Sequence, residues 1–326
     1  TGLIVPSKFF DLAKEGKDFY MFAPHTVKQE YGVTLDDIDI EKYYDELVAN
    51  PNVLKKKKDA REMLNMIAQT QLQSGYPYLM FKDNANKVHA NSNIGQIKMS
   101  NLCTEIFQLQ ETSIINDYGI EDEIKRDISC NLGSLNIVNV METGKFRDSV
   151  HTGMDALTVV SDEANIQNAP GVKKANNELH SVGLGVMNLH GYLAKNKIGY
   201  ESEEAKDFAN IFFMMMNYYS IERSMEIAKE RGEAYQDFDK SDYASGKYFD
   251  FYTSQEFVPQ FEKVKELFAN MQIPTSEDWK SLQQQVQEYG LYHAYRLAIA
   301  PTQSISYVQN ATSSVMPIVD QIERRT

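Results

Sequence analysis

Asn101, Cys103 and Glu105, in the run Ser100-Asn101-Leu102-Cys103-Thr104-Glu105-Ile106, set a thiol between a carboxamide and a carboxylate. In an extended chain alternate side chains share a face about 6.6 Å apart, so these three point one way and Leu102, Thr104 and Ile106 the other. In a helix Cys103 would lie about 200° around from Asn101, and the polar set would be split. A thiol with these neighbours offers a redox or nucleophilic centre, a group to take or give a proton, and an amide to orient a hydroxyl. The same spacing also fits a buried strand cysteine with two solvent-facing neighbours. A carboxylate disfavours an adjoining thiolate, and no histidine is near in sequence. A neutral thiol or a thiyl radical therefore suits this setting better than the chemistry of a cysteine protease.

Two further stretches carry chemistry. Cys130 lies in residues 128–138, which alternate and predict a strand; a lone strand cysteine is commonly a small buried hydrophobe, and pairing with Cys103 stays open. Residues 301–306 end a predicted apolar strand at 291–300. There the hydroxyls of Thr302, Ser304 and Ser306, with successive backbone N–H groups, suit either an anion-binding concavity or a plain polar turn. It is not a Walker loop, because both glycines and the lysine are missing. The six histidines show no paired ligand spacing, so no metal is assigned to this chain.

The elements that must position these groups follow from periodicity. Residues 6–14 predict a short helix closed by Gly16, 20–23 a brief strand, and 34–49 acidic helical turns. Ala60, Met63, Leu64, Ile67, Ala68 and Gln71 predict a helix over 59–74, stopped by Gly75. A buried strand at 76–81 follows, with Pro77 near its start. The polar stretch 82–95 is long for an idle connection and reads as a functional loop. The basic run 55–58 reads as a solvated helix start. Helix is expected again over 146–166, from 181–189 and over 279–288, with surface turns at 237–252. The longest helix is expected from Glu203 to Arg231, with Ser202 as N-cap, Gly232 as stop and Met214, Met215 and Met216 as core filler.

The totals bound the class. The 326 residues are 42% hydrophobic and 24% charged, as in a globular domain, and no apolar run approaches a membrane span. A net charge of −13 argues against a nucleic-acid footprint. Two cysteines and no signal peptide suggest a reducing, cytoplasmic setting. The first and last residues suggest a piece of something longer.

Five stretches in order, SGYPY at 74–78, SNLCTEI at 100–106, CNLGSLN at 130–136, VGLGVMNLHGYL at 182–193 and APTQSIS at 300–306, resemble the large catalytic subunit of class I ribonucleotide reductase, most closely the class Ib type. Each is weak alone, but five in order over most of the chain are specific. The resemblance implies α/β class, with residues 1–326 forming part of a ten-stranded α/β barrel. A central finger loop falls at about 96–108 and a phosphate-binding turn at about 300–306. It implies that Cys103 becomes a transient thiyl radical taking the ribose 3′ hydrogen. Glu105 takes the 3′-hydroxyl proton, Asn101 holds substrate hydroxyls, and Cys130 is one of two reductant cysteines. Thr302, Gln303, Ser304, Ile305 and Ser306 hold the substrate diphosphate. Such a chain binds no cofactor of its own; a metal-containing small subunit supplies the radical, and a thioredoxin- or glutaredoxin-like protein the electrons.

The resemblance further implies ribonucleoside diphosphates as substrates, homodimerisation of the full-length protein, and nucleoside triphosphate effectors acting through regions missing here. Also missing are the other redox cysteine, the radical-relay tyrosines and the C-terminal cysteine tail, so the isolated chain is expected to be inactive. The competing readings are a cobalamin-dependent class II reductase and a non-catalytic nucleotide-binding domain of the same fold.

Overall fold

The structure is a computed structural model that describes residues 2–320 and 322. The chain divides into two compact units, Thr1–Glu111 and Thr112–Thr326.

In the first unit β1 (Gly2–Val5) leads to α1 (Ser7–Glu15), which Gly16 ends in the left-handed conformation that glycine adopts without steric cost. Then come β2 (Asp18–Phe22), α2 (Pro24–Tyr31), α3 (Ile40–Ala49), β3 (Lys55–Asp59), α4 (Ala60–Ser74), β4 (Tyr78–Phe81) and α5 (Lys82–Lys87). β1 pairs in parallel with β4, and β2 antiparallel with β3. Val5, Phe9, Ala13 and Ala60 form a core against which Phe10, Phe19, Leu64 and Ile67 pack. The helix over 60–74 has the limits its periodicity predicts, with Asp59 accepting the Glu62 N–H and Gly75 left-handed. Two expectations fail here. The lysine run is strand β3, because Phe19 to Phe22 across the ladder give it a partner, and Lys57 pairs with Asp18 at 3.0 Å. A lysine-rich edge also discourages further strand pairing. β4 is only partly covered, Met80 alone being buried.

The second unit runs β5 (Leu132–Asn136), α6 (Ile137–Thr143), α7 (Phe146–Asp162), α8 (Pro170–Leu179), β6 (Gly183–Met187), α9 (Leu189–Lys195) and α10 (Glu203–Arg231). It continues with α11 (Asp242–Ser245), α12 (Asp250–Thr253), α13 (Glu262–Phe268), α14 (Ser276–Tyr289) and α15 (Gln303–Val308). α10 has the predicted limits: the Ser202 side chain accepts the Ala205 N–H and left-handed Gly232 closes it. Phe208, Ile211, Phe212 and the run Met214, Met215 and Met216 on it are buried. The 237–252 segment is less superficial than expected, since Tyr243 and Phe249 are buried.

β5 and β6 pair in parallel, Leu132 opposite Gly183 and Asn136 opposite Met187. β6 replaces the helix expected at 181–189. All five of its residues are buried, and a strand covered on both faces shows no alternation to betray it. Residues 291–300 run beside β6 without forming a regular strand. Their contacts include a bridge of Leu184 to Leu297, bonds from Val182 and Leu184 N–H to the Tyr295 and Arg296 carbonyls at 3.0 and 2.8 Å, and one from the Ala298 N–H to the Leu184 carbonyl at 3.2 Å. Gly185 makes that approach feasible, because a Cβ there would overlap the Ala298 carbonyl oxygen. The α/β class thus stands, while the strands of the described residues form three two-stranded sheets and do not close into a barrel.

Candidate functional site

In the first unit residues 100–106 form a turn where an extended segment is the expectation from alternation. The Thr104 N–H bonds the Asn101 carbonyl at 3.2 Å, and Thr104 is left-handed at φ 66°. Asn101 Oδ1 accepts the N–H groups of Glu105 and Ile106, both at 3.1 Å, and the Ser100 hydroxyl donates to the Ile106 carbonyl at 2.7 Å. A side-chain amide that offers its oxygen to nearby N–H groups competes with strand geometry, and here it closes the loop. Cys103 stands exposed in this turn. Asn101 and Glu105, which a straight strand would separate by about 13 Å, are neighbours. Glu105 Oε2 is buried without a hydrogen-bond partner, a costly state for a carboxylate oxygen and one that a ligand hydroxyl would relieve. A cavity of about 270 Å3 adjoins the turn, lined by Ser100, Asn101 and Thr104 and by Leu3, Ile4 and Met80 of β1 and β4.

The approach to the turn is fastened by residues that sequence reasoning missed. Asn86 of α5 brackets Ile97, donating to its carbonyl at 2.8 Å and accepting its N–H at 3.0 Å. Gln110 does the same to Met99 at 3.1 and 2.8 Å. Lys98 between them pairs with Asp36 at 2.9 Å and Asp37 at 2.6 Å. Burial pushes the Asp36 carboxyl upward, but the hydrogen bonds from Lys98 and Thr34 outweigh it and hold the group far below the usual carboxylate range. The stretch 82–95 thus opens as a helix, and Asn86 on it is an anchor. The signal for it was the asparagine count of that stretch.

The second unit holds the other candidates. Cys130 is an exposed thiol that precedes β5. The strand starts two residues later; just ahead of it the Asn131 side chain bonds Asn176 and the Ser181 carbonyl at 2.9 and 3.0 Å, and its own carbonyl accepts the Gly183 N–H at 2.8 Å. The 301–306 stretch is the start of α15, with Thr302 at its N-cap position. The five candidate residues 302–306 divide: Gln303, Ser304 and Ile305 are exposed, whereas Thr302 and Ser306 are buried. Thr302 Oγ1 accepts the Ser314 N–H at 2.7 Å, and the Ser306 hydroxyl donates to the Gln303 carbonyl at 2.7 Å. The first N–H groups of a helix have no partner within it, so the exposed side of this turn presents donors. α15 lies past the C-terminal ends of β5 and β6, where open α/β sheets place ligands. Cys130 enters at the opposite end, with the roughly 16 Å length of β5 between.

Two polar clusters outside these segments have structural explanations. His151, Glu222 and Glu226 gather potential metal-ligand atoms between α7 and α10. Arg147 bonds Glu222 at 2.7 Å and Glu226 at 3.0 Å, and Arg223 bonds Glu226 at 3.0 Å. With the carboxylates neutralised, this is an ion network joining two helices. His293 is fully buried between the Thr158 and Ser224 hydroxyls at 2.9 and 3.0 Å. Burial and then the nearby cation Arg296 push its pKa far down.

The parallel strand pair with α15 beyond its end in the second unit, and the cysteine-bearing turn braced by side-chain amides in the first, are features of an α/β class chain. The family model for the ribonucleotide reductase barrel domain matches residues 1–326, and the chain belongs to that family. The ribonucleoside-diphosphate reductase subunit alpha of Bacillus subtilis (strain 168) is 55% identical over 325 residues, covering 100% of this chain and 46% of that protein. The subunit of the same name from Mycoplasma pneumoniae is 42% identical, covering 99% of this chain and 45% of its own length. That from Treponema pallidum is 30% identical, with 97% and 37% covered. The chain therefore spans about half the length of the curated relatives it matches, or less. Among the described residues no helix is long and apolar enough to cross a membrane.

Proposed function

We propose that this chain is the substrate-handling part of a class I ribonucleoside-diphosphate reductase large subunit. The observation that carries the proposal is the turn at 100–106, an exposed thiol beside a carboxylate with an unsatisfied oxygen, in a chain matched end to end by the family. In this reading the radical arrives from a metal-containing small subunit, and Cys103 as a thiyl takes the ribose 3′ hydrogen to form an S–H bond and a carbon radical. Glu105 Oε2 accepts the 3′-hydroxyl proton. Asn101, its oxygen spent on the turn, has only its Nδ2 hydrogens to offer a substrate oxygen. The 2′-hydroxyl leaves as water. Two cysteines, of which Cys130 is one, give two electrons and become a disulfide, and Cys103 then returns its hydrogen to C3′. The exposed side of the 302–306 turn takes the diphosphate: the N–H groups of Gln303, Ser304 and Ile305 and the Ser304 hydroxyl bind it, while Thr302 and Ser306 shape the turn.

The relatives' designation as an alpha subunit favours a two-subunit enzyme over the cobalamin-dependent alternative. A thioredoxin- or glutaredoxin-like protein as reductant, a homodimer and a cytoplasmic address complete the proposal; two exposed thiols suit a reducing compartment. The test is Cys103→Ser in the full-length protein with its small subunit. Abolished deoxynucleotide formation with intact substrate binding is expected, and undiminished turnover would sink the assignment.

A further inference from the structure

Three of the stretches that carry the family resemblance meet in one hydrogen-bonded knot. Asn136 and Asn188, both mostly buried, stand at and just past the C-terminal ends of the parallel strands β5 and β6. Asn188 is left-handed at φ 72°, a conformation asparagine tolerates better than most residues. Its backbone N–H bonds the Thr312 carbonyl at 2.9 Å, and its Oδ1 accepts the Thr312 N–H at 3.0 Å and hydroxyl at 3.3 Å. Its Nδ2 donates to Asn136 Oδ1 at 3.1 Å, and Asn136 Nδ2 reaches Gln309 at 3.4 Å. One turn into α9, the Gly191 N–H bonds the Thr312 hydroxyl at 3.2 Å, and any Cβ on Gly191 would overlap Asn188 Oδ1.

Thr312 is thus held by its N–H, its carbonyl and its hydroxyl. Two residues on, the Ser314 N–H bonds Thr302 Oγ1 at 2.7 Å, and Thr302 is the residue from which α15 starts. Gln309, at the far end of α15, is held by Asn136. Both ends of α15 are therefore tied, through side chains, to the ends of β5 and β6. A buried network with each member bonded fixes geometry more tightly than apolar packing.

We propose that Asn188 is a positioning residue for the diphosphate: through Thr312 and Ser314 it sets the orientation of the 302–306 turn, with Gly191 present to leave it room. The inference rests on the reading of that turn as the diphosphate site. The experiment uses the full-length protein with its small subunit and a dithiol reductant, and compares binding of a ribonucleoside diphosphate with that of the corresponding nucleoside. Asn188→Ala is expected to raise the KM for the diphosphate about tenfold or more while kcat moves about threefold at most, with nucleoside affinity unchanged. Gly191→Ala, which displaces Asn188 without deleting a polar group, is expected to shift KM in the same direction. Should Asn188→Ala fail to fold, Thr312→Val against Thr312→Ser carries the test, the serine variant binding diphosphate several-fold more tightly. Parent-like diphosphate binding by Asn188→Ala, or by Thr312→Val, overturns the inference. Ser304→Asp separates the two levels. If it leaves diphosphate binding intact, the turn is not the phosphate site; if it weakens binding and Asn188→Ala does not, only the positioning role fails.

Discussion

Glu105 and Thr104 show how a residue's cost can mark its use. A β-branched residue in the left-handed region and a buried carboxylate oxygen without a partner each oppose folding by about 1–3 kcal/mol. Both occur next to Cys103. Removing the charge while keeping the shape is the informative change. In the full-length enzyme Glu105→Gln is expected to keep nucleotide affinity and to lower kcat about 100-fold or more, the usual worth of a positioned general base; a kcat scan with a binding titration checks it. His293 yields a stability prediction. It is held neutral by burial and by Arg296, with His180, Arg231 and Arg223 acting the same way. Its folded pKa is depressed, so below about 6.5 the unfolded chain binds a proton that the folded chain refuses. Stability is then intact above that pH and falls as pH drops toward the folded value. Denaturant melts of His293→Gln at pH 7.5 and 5.5 should show a weaker pH dependence than the parent, with a lower stability at pH 7.5.

At the scale of elements, local signals and remote ones part company. α10 was legible to the residue, because Ser202 and Gly232 are caps that act within one turn of the chain they end. β6 was not, since its burial on both faces depends on β5 and on residues 294–300, more than a hundred positions away. The candidate site divides similarly. Cys103 and Glu105 stood out by type and spacing, but their closure into a turn depends on the Asn101 side chain, and the braces Asn86 and Gln110 carry no motif. The knot at Asn188 was invisible for the same reason: Thr312 and Asn136 are neighbours of Asn188 only once the strands pair. Gly185 tests this dependence. Its missing Cβ admits the Ala298 carbonyl, a backbone atom that a side-chain rotation cannot move, so Gly185→Ala is expected to destabilise the chain by about 3 kcal/mol or more. A shift of the urea midpoint measures it, and a change under about 0.5 kcal/mol would show that residues 294–300 yield freely. Lys98 gives a milder case in the first unit. Lys98→Met removes both aspartate pairs and should cost about 1 kcal/mol, a figure that high salt reduces.

At the scale of the whole molecule, the limit on activity is an electron count. The proposed reaction removes a hydroxyl as water and needs two electrons from a cysteine pair, and it needs a further cysteine to cycle between thiol and thiyl. The chain has two cysteines in all. If Cys103 carries the radical, Cys130 has no second thiol with which to form the disulfide, and a Cys103–Cys130 bond would consume the radical carrier. Neither route completes even one catalytic cycle. The 326-residue chain, mixed with the small subunit, a ribonucleoside diphosphate and excess dithiol, is therefore expected to yield no deoxynucleoside diphosphate above background. Chromatography of a labelled substrate reads the product directly. Deoxynucleoside diphosphate above background would refute this expectation, because external dithiol would then be replacing the missing cysteine at the site itself. The full-length protein under the same conditions is the control that must turn over.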